Sequence, residues 1–212
     1  MSLVSLIALL DYASVLVFAL TGALVASRAQ LDIVGFIFFA ALTGIGGGTL
    51  RDLLLGQGPV FWVGRPELLL LIAAAAVLVF FTAHLFESRY NLLLWLDALA
   101  LGVAVPAGVG VAIEAGAGPV VTVAMGVITG TFGGMARDTV ANELPLVLKQ
   151  GELYVTAAFG GALVGAALIG MGSSQGWALV ACGLTVFALR AGSMAFGWNL
   201  PTYRPRPPRN KG

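Results

Sequence analysis

Thr43 to Asp52 reads TGIGGGTLRD, and Thr129 to Asp138 reads TGTFGGMARD. Each stretch lies inside a long apolar run and sets a glycine cluster one turn ahead of an Arg-Asp pair. Glycine weakens a helix, and charge is costly in lipid, so neither belongs in an ordinary span. Thr, Gly, Gly-Gly and Arg-Asp recur in register at an offset of 86 residues. The same offset carries Asp11 onto Asp97, Val17 onto Val103, Gly22 onto Gly108 and Pro59 onto Pro145, with no gap. An ungapped match of this length marks an internal duplication.

Composition sets the solvent. Of 212 residues, 59% are hydrophobic and 10% charged, against about 25% charged in soluble domains. Mean hydropathy is +0.98. The chain therefore reads as an integral membrane protein. A net charge of +1 points to no nucleic-acid partner. One cysteine, Cys182, precludes an intrachain disulfide and a cysteine-based metal site. One histidine, His84, precludes a His-rich centre. No metal or cofactor is expected. The N-terminal run is not read as a cleavable leader: it lacks a basic segment, Asp11 interrupts it, and it recurs at about 94–113.

A span needs roughly 20 apolar residues. Seven such runs occur, at about 5–27, 33–55, 67–86, 91–113, 118–141, 152–171 and 175–197. The expected fold is all-α: seven transmembrane helices, arranged as two inverted three-helix repeats plus a seventh helix. Three is odd, so the second copy enters the membrane from the opposite side. The copies are placed at 1–86 and 87–172, the seventh helix at 173–198, and a basic Pro-rich tail at 199–212. The loops on the N-terminal side offer only Arg65. The other side carries Arg28, Arg89, Lys149, Arg204, Arg206, Arg209 and Lys211. The positive-inside rule then puts the N-terminus outside and the tail in the cytoplasm. Trp62, Trp95 and Trp198 fall near span ends, as interfacial aromatics do. The tail YRPRPPRNKG reads as a disordered topology anchor or a lipid-headgroup site.

Two readings fit the glycines Gly46, Gly47, Gly48, Gly133 and Gly134. Small residues let helices approach closely in lipid. Alternatively, adjacent glycines point in different directions and suit a kinked or broken helix that frees carbonyls for a cation. The second reading is preferred for the two clusters. Close packing is preferred for Gly161 and Gly165. Residues i and i+1 do not face each other on a helix. Arg51 and Arg137 are therefore expected to pair away from Asp52 and Asp138. Matching depth selects Asp11–Arg51 and Asp97–Arg137, either as static ion pairs or as borders of two polar vestibules. Thr49-x-x-Asp52 fits a capping box restarting a helix, but Met135 stands at the Thr position in the second copy. Arg190 is expected to snorkel to the cytoplasmic side. His84 is read as interfacial, Glu114, Glu143 and Glu152 as solvated, and Pro106 as a kink.

The paired motif in a seven-span chain of this length resembles the prokaryotic TRIC (trimeric intracellular cation) channels. That family overlaps bacterial proteins labelled putative glycine transporters. The resemblance covers roughly 5–197. It implies a homotrimer in the prokaryotic plasma membrane, with a pore in each protomer lined largely by kinked spans two and five. It also implies potassium-preferring monovalent cation conduction. The pore or gate positions carried over by motif are Gly46, Gly47, Gly48, Arg51 and Asp52, with Gly133, Gly134, Arg137 and Asp138. Thr43 and Thr129 open the same two motifs. Phe132 replaces Gly46 in the second copy, so the halves are not equivalent. Animal members carry a Lys-containing motif that binds an inositol lipid, and this chain lacks it. A secondary transporter for a small solute such as an amino acid is the competing reading, because inverted repeats with broken helices suit transporters. An enzyme is not expected, since one His and one Cys leave little from which to build a catalytic site.

Overall fold

The computed structural model describes residues 3–86, 88–149 and 152–201. Within them the chain forms helices α1 (Leu3–Arg28), α2 (Ile33–Leu54), α3 (Glu67–Thr82), α4 (Arg89–Glu114), α5 (Pro119–Val140), α6 (Val155–Gly170) and α7 (Gln175–Phe196). Short 3-10 turns follow at Ala83–Leu85 and Leu146–Leu148. No strand occurs among the described residues. The basic tail at 203–212 lies outside them.

Local chemistry explains the helix ends. Asp32 caps α2 by accepting the Gly35 amide at 2.9 Å, which satisfies one of the free N-terminal donors. Ser88 does the same for α4 through the Asn91 amide at 3.2 Å. Pro119 begins α5, where its missing N–H costs nothing. Gly197, at φ 69°, ends α7 in the left-handed conformation that glycine adopts freely.

Among the described residues six helices are long and apolar enough to cross a membrane, α3 by running on through its 3-10 turn to Leu85. The seventh, α6, has 16 residues, or roughly 24 Å at 1.5 Å per residue. The span expected over about 152–171 starts later, at Val155, after a non-helical lead-in at 152–154 in which the Tyr154 amide donates to the Glu152 carbonyl at 3.1 Å.

Packing follows the duplication. α1 lies against α2 as α4 lies against α5, and α2 crosses α5 at the centre. In α1, a methyl group at Gly22 would stand 2.2 Å from the Phe39 carbonyl and 2.6 Å from Thr43 Oγ1. In α4, a methyl at Gly108 would stand 2.6 Å from the Met125 carbonyl and 2.5 Å from Thr129 Oγ1. Those contacts match at the 86-residue offset, so one local geometry has been built twice. α7, outside the repeat, packs on α4 and α6. Gly161 and Gly165 provide the seat on α6: a methyl at Gly161 would meet Val186 Cγ2 at 2.2 Å.

The expected break is absent. α2 and α5 run as uninterrupted α-helices through both glycine clusters. Glycine is demanded instead by the α2–α5 crossing. A methyl at Gly47 would stand 2.1 Å from the Thr129 carbonyl oxygen, and one at Gly133 would stand 2.3 Å from the Thr43 carbonyl oxygen. The two contacts are reciprocal. Close backbone approach therefore decides these positions, as in other small-residue crossings. No helix restarts at Thr49 either. Its hydroxyl donates to the Ile45 carbonyl at 2.7 Å and accepts from Trp62 Nε1 at 3.0 Å.

Candidate ion pathway

Both ends of the crossing carry a buried cluster of one arginine and two carboxylates. Arg51 Nη1 lies 3.1 Å from Asp11 Oδ1, and Arg51 Nε lies 2.8 Å from Asp52 Oδ1. Arg137 Nη1 lies 3.0 Å from Asp97 Oδ1, and Arg137 Nε lies 2.7 Å from Asp138 Oδ1. Both pairings expected from depth are formed. The sequence neighbours are engaged as well, contrary to the expectation from helix geometry. The guanidinium fork explains this: it is long and multidentate, so one edge reaches back to residue i+1 while the other crosses to the next helix. All six side chains are buried.

The second carboxylate also ties down a loop. Asp52 Oδ2 accepts the Phe61 amide at 2.7 Å, and Asp138 Oδ2 accepts the Leu146 amide at 3.0 Å. Thr43 and Thr129 turn their hydroxyls to their own helices, donating to the Phe39 and Met125 carbonyls at 2.7 and 2.6 Å. Gly46 and Phe132 sit beside each other on a partly exposed flank of the crossing, where Gly46 tolerates a methyl with ordinary contacts. An apolar groove of about 390 Å³ runs along this flank between Phe38, Thr49, Trp62 and Phe132.

The copies differ in what closes the last glycine of each cluster. The Gly48 notch is filled by the Phe61 ring, 2.5 Å from where a methyl would stand, and Arg51 lies over that ring at 5.4 Å. The Gly134 notch faces polar atoms: the Tyr154 hydroxyl at 3.3 Å, with Arg137 Nη2 and Asp97 Oδ1 at 3.6 Å. Arg137 also donates to Thr21 Oγ1 of α1 at 2.9 Å, joining the two repeats.

Sequence reasoning missed Phe61, Tyr154 and Thr21. Aromatics in loops carry no periodicity, and a lone Thr in an apolar run reads as helix filler. Three further expectations are corrected. Arg190 does not snorkel; it is fully buried and pairs with Glu152 at 2.6 Å. Glu152 is accordingly not free in solvent. Glu143 pairs with Arg28 at 3.0 Å, because the loops after α1 and α5 meet at one end of the molecule. Arg89 and Lys149 gather there too, bonding Ser27 and Tyr90.

The comparisons with known proteins bear on this architecture. A family model described as "Glycine transporter" matches the chain twice, at residues 8–84 and 94–169. A UPF0126 membrane protein of Vibrio cholerae is 36% identical over 94% of this chain and 83% of its own length. The UPF0126 inner membrane protein YadS of Escherichia coli K12 is 38% identical over 73% of this chain and 75% of its own. Among solved structures, a TRIC trimeric intracellular cation channel orthologue from Rhodobacter sphaeroides superposes with a TM-score of 0.87 at 46% identity. That match covers 91% of this chain and 98% of the orthologue. The chain belongs to the prokaryotic TRIC family. A further prokaryotic TRIC channel, solved in 0.5 M KCl, superposes at 0.84 with 28% identity over 92% of this chain and 98% of its own. The two family-model matches fall on the two copies of the TRIC repeat, with α7 outside both.

Proposed function

We propose that this TRIC family member is a passive monovalent cation channel, permeable to potassium, with a pore inside each protomer along α2 and α5. The observation that carries this reading is the charge count of the duplicated cluster. At each end of the α2–α5 crossing two buried carboxylates face one buried guanidinium, and at the Asp11 end the part-exposed Arg65 adds a second. The excess of buried negative charge at the Asp97–Arg137–Asp138 end favours a cation over an anion. Between the mouths α2 and α5 touch backbone to backbone, at Gly47 on Thr129 and Gly133 on Thr43. Conduction requires the helices to separate or slide there, and small residues without interlocking side chains suit such sliding.

The assembly is proposed to be a homotrimer in the prokaryotic inner membrane, N-terminus outside and tail in the cytoplasm. The names of the solved relatives and of the E. coli inner membrane relative support this. The gathering of Arg28, Arg89 and Lys149 at one end supports the orientation.

The test is single-channel recording of purified protein in a planar bilayer under a potassium chloride gradient. Discrete current steps reversing toward the potassium equilibrium potential are expected. The family model's description favours one second reading, a glycine transporter. Proteoliposomes that accumulate glycine against its gradient, with no current steps, would replace the channel with that transporter.

A further inference from the structure

The seventh helix stands outside the duplication, and the structure shows what the duplication failed to copy. In the first copy, α1 holds the chain leading into α3. Asp11 pairs with Arg65 at 3.4 Å, and the Tyr12 hydroxyl donates to Glu67. The 86-residue offset places Ala98 at the position of Tyr12, Gly151 at that of Arg65 and Leu153 at that of Glu67. Every side chain of the tie except the Asp is therefore lost from the second copy. On α4 only Asp97 remains, and it lies beside Tyr154 at the Gly134 notch.

α7 takes over the task. Arg190 pairs with Glu152 at 2.6 Å. Ser193 Oγ accepts the Leu153 amide at 2.9 Å and donates to the Trp198 carbonyl at 2.7 Å. The Arg190 guanidinium lies over the Tyr154 ring at 5.1 Å. Three consecutive residues, 152 to 154, are thus gripped by one helix. The third is Tyr154, 2% exposed, whose hydroxyl covers the Gly134 notch beside Arg137 and Asp97. Tyr154 OH, Asp97 Oδ2 and Arg137 Nη2 are all buried there without a hydrogen-bond partner among the described residues. On the outer side of the grip, Glu152 and Ser193 line a polar pocket of about 330 Å³ with Asn91 and Trp95. Tyr154 thus lies against the Asp97–Arg137 pair, while Glu152, two residues before it, lines that pocket.

We propose that Tyr154 is a gating residue at this end of the pathway and that Arg190, Glu152 and Ser193 are positioning residues that hold it shut. The proposal rests on the channel reading. In it α7 is a clamp: releasing residues 152–154 lets the Tyr154 ring leave the notch and joins the polar pocket to the Asp97–Arg137–Asp138 cluster.

Single-channel recording of the full-length protein tests it, with oligomer size measured on each variant. Arg190→Gln combined with Glu152→Gln removes the ion pair without stranding a charge. It should raise the open fraction several-fold at unchanged unit conductance. Tyr154→Ala should do the same. Arg190→Lys keeps a charge opposite Glu152 and should fall between wild type and the double variant, a graded rescue that a purely structural role does not produce. Ser193→Ala fits its own space and cuts the Leu153 tie together with the bond to the Trp198 carbonyl. It is expected to assemble whatever the others do, and it should shift the open fraction in the same direction. Arg28→Gln, which breaks a different ion pair at the same end, should leave the open fraction alone. A conducting wild type with unaltered open fractions in Ser193→Ala and Arg190→Lys overturns the gate and leaves the channel standing. A wild type without current takes both down.

Discussion

At the scale of the residue, two kinds of position carry the fold: glycines that admit a backbone and arginines that are surrounded. Gly47 and Gly133 leave no room for a methyl against a neighbouring carbonyl, whereas Gly46 does. Gly47→Ala or Gly133→Ala should destabilise by about 1–3 kcal/mol through overpacking, while Gly46→Ala should be close to neutral. Thermal unfolding in detergent separates the two classes, and equal effects at all three sites would reject the crossing as the cause. The arginines obey a different rule. Asp97 and Arg137 are fully buried, so Asp97→Asn strands a charge and should cost about 3–5 kcal/mol. Adding Arg137→Gln to that variant should recover part of the loss. The Arg28–Glu143 pair is 30% and 36% exposed, so removing Arg28 should cost about 0–1 kcal/mol. Chemical denaturation of the three variants gives the comparison.

At the scale of the element, each helix of the first copy has a twin, and α1–α2 and α4–α5 meet through matching atoms. α6 is the weak member: it is short and depends on α7 for a partner face. Its seat is narrow, because Gly161 lies under Val186 and the Cys182 carbonyl. Cys182 itself is fully buried beside Gly165. Gly161→Ala should therefore lift α7 from α6. The expected readout is faster reaction of Cys182 with a thiol reagent in the folded protein, several-fold over a wild type that is almost inert. An unreactive Cys182 in that variant would mean that the α6–α7 contact relaxes without opening.

At the scale of the whole molecule, inversion sends the two charge clusters to opposite ends of one crossing, which is the arrangement a two-mouthed pathway requires. It also sets a topological expectation. A reporter active in the cytoplasm should work at the tail and fail when fused before Met1. The opposite result would invert every assignment of mouth to side. Mass measurement of the purified complex should return a trimer of this 21.8 kDa chain.

The sequence by itself determined the solvent, the number of helices, the duplication and the partners Asp11–Arg51 and Asp97–Arg137. All of these rest on composition, on run length or on a repeat offset that aligns depths, and such one-dimensional quantities survive without coordinates. It left open which of two uses the glycines served: neither helix is broken at its cluster, and Gly47 and Gly133 admit a neighbouring backbone. Whether Gly47 bends its own helix or admits another depends on what lies across from it, and that neighbour, Thr129, is 82 residues away along the chain. The same limit hid the fate of Arg190. A charge near a helix end reads as bound for water until Glu152 and Tyr154 are seen folded over it. Only the tertiary structure decided these points, because backbone approach and burial are properties of two chain segments at once, and no single segment encodes its partner's surface.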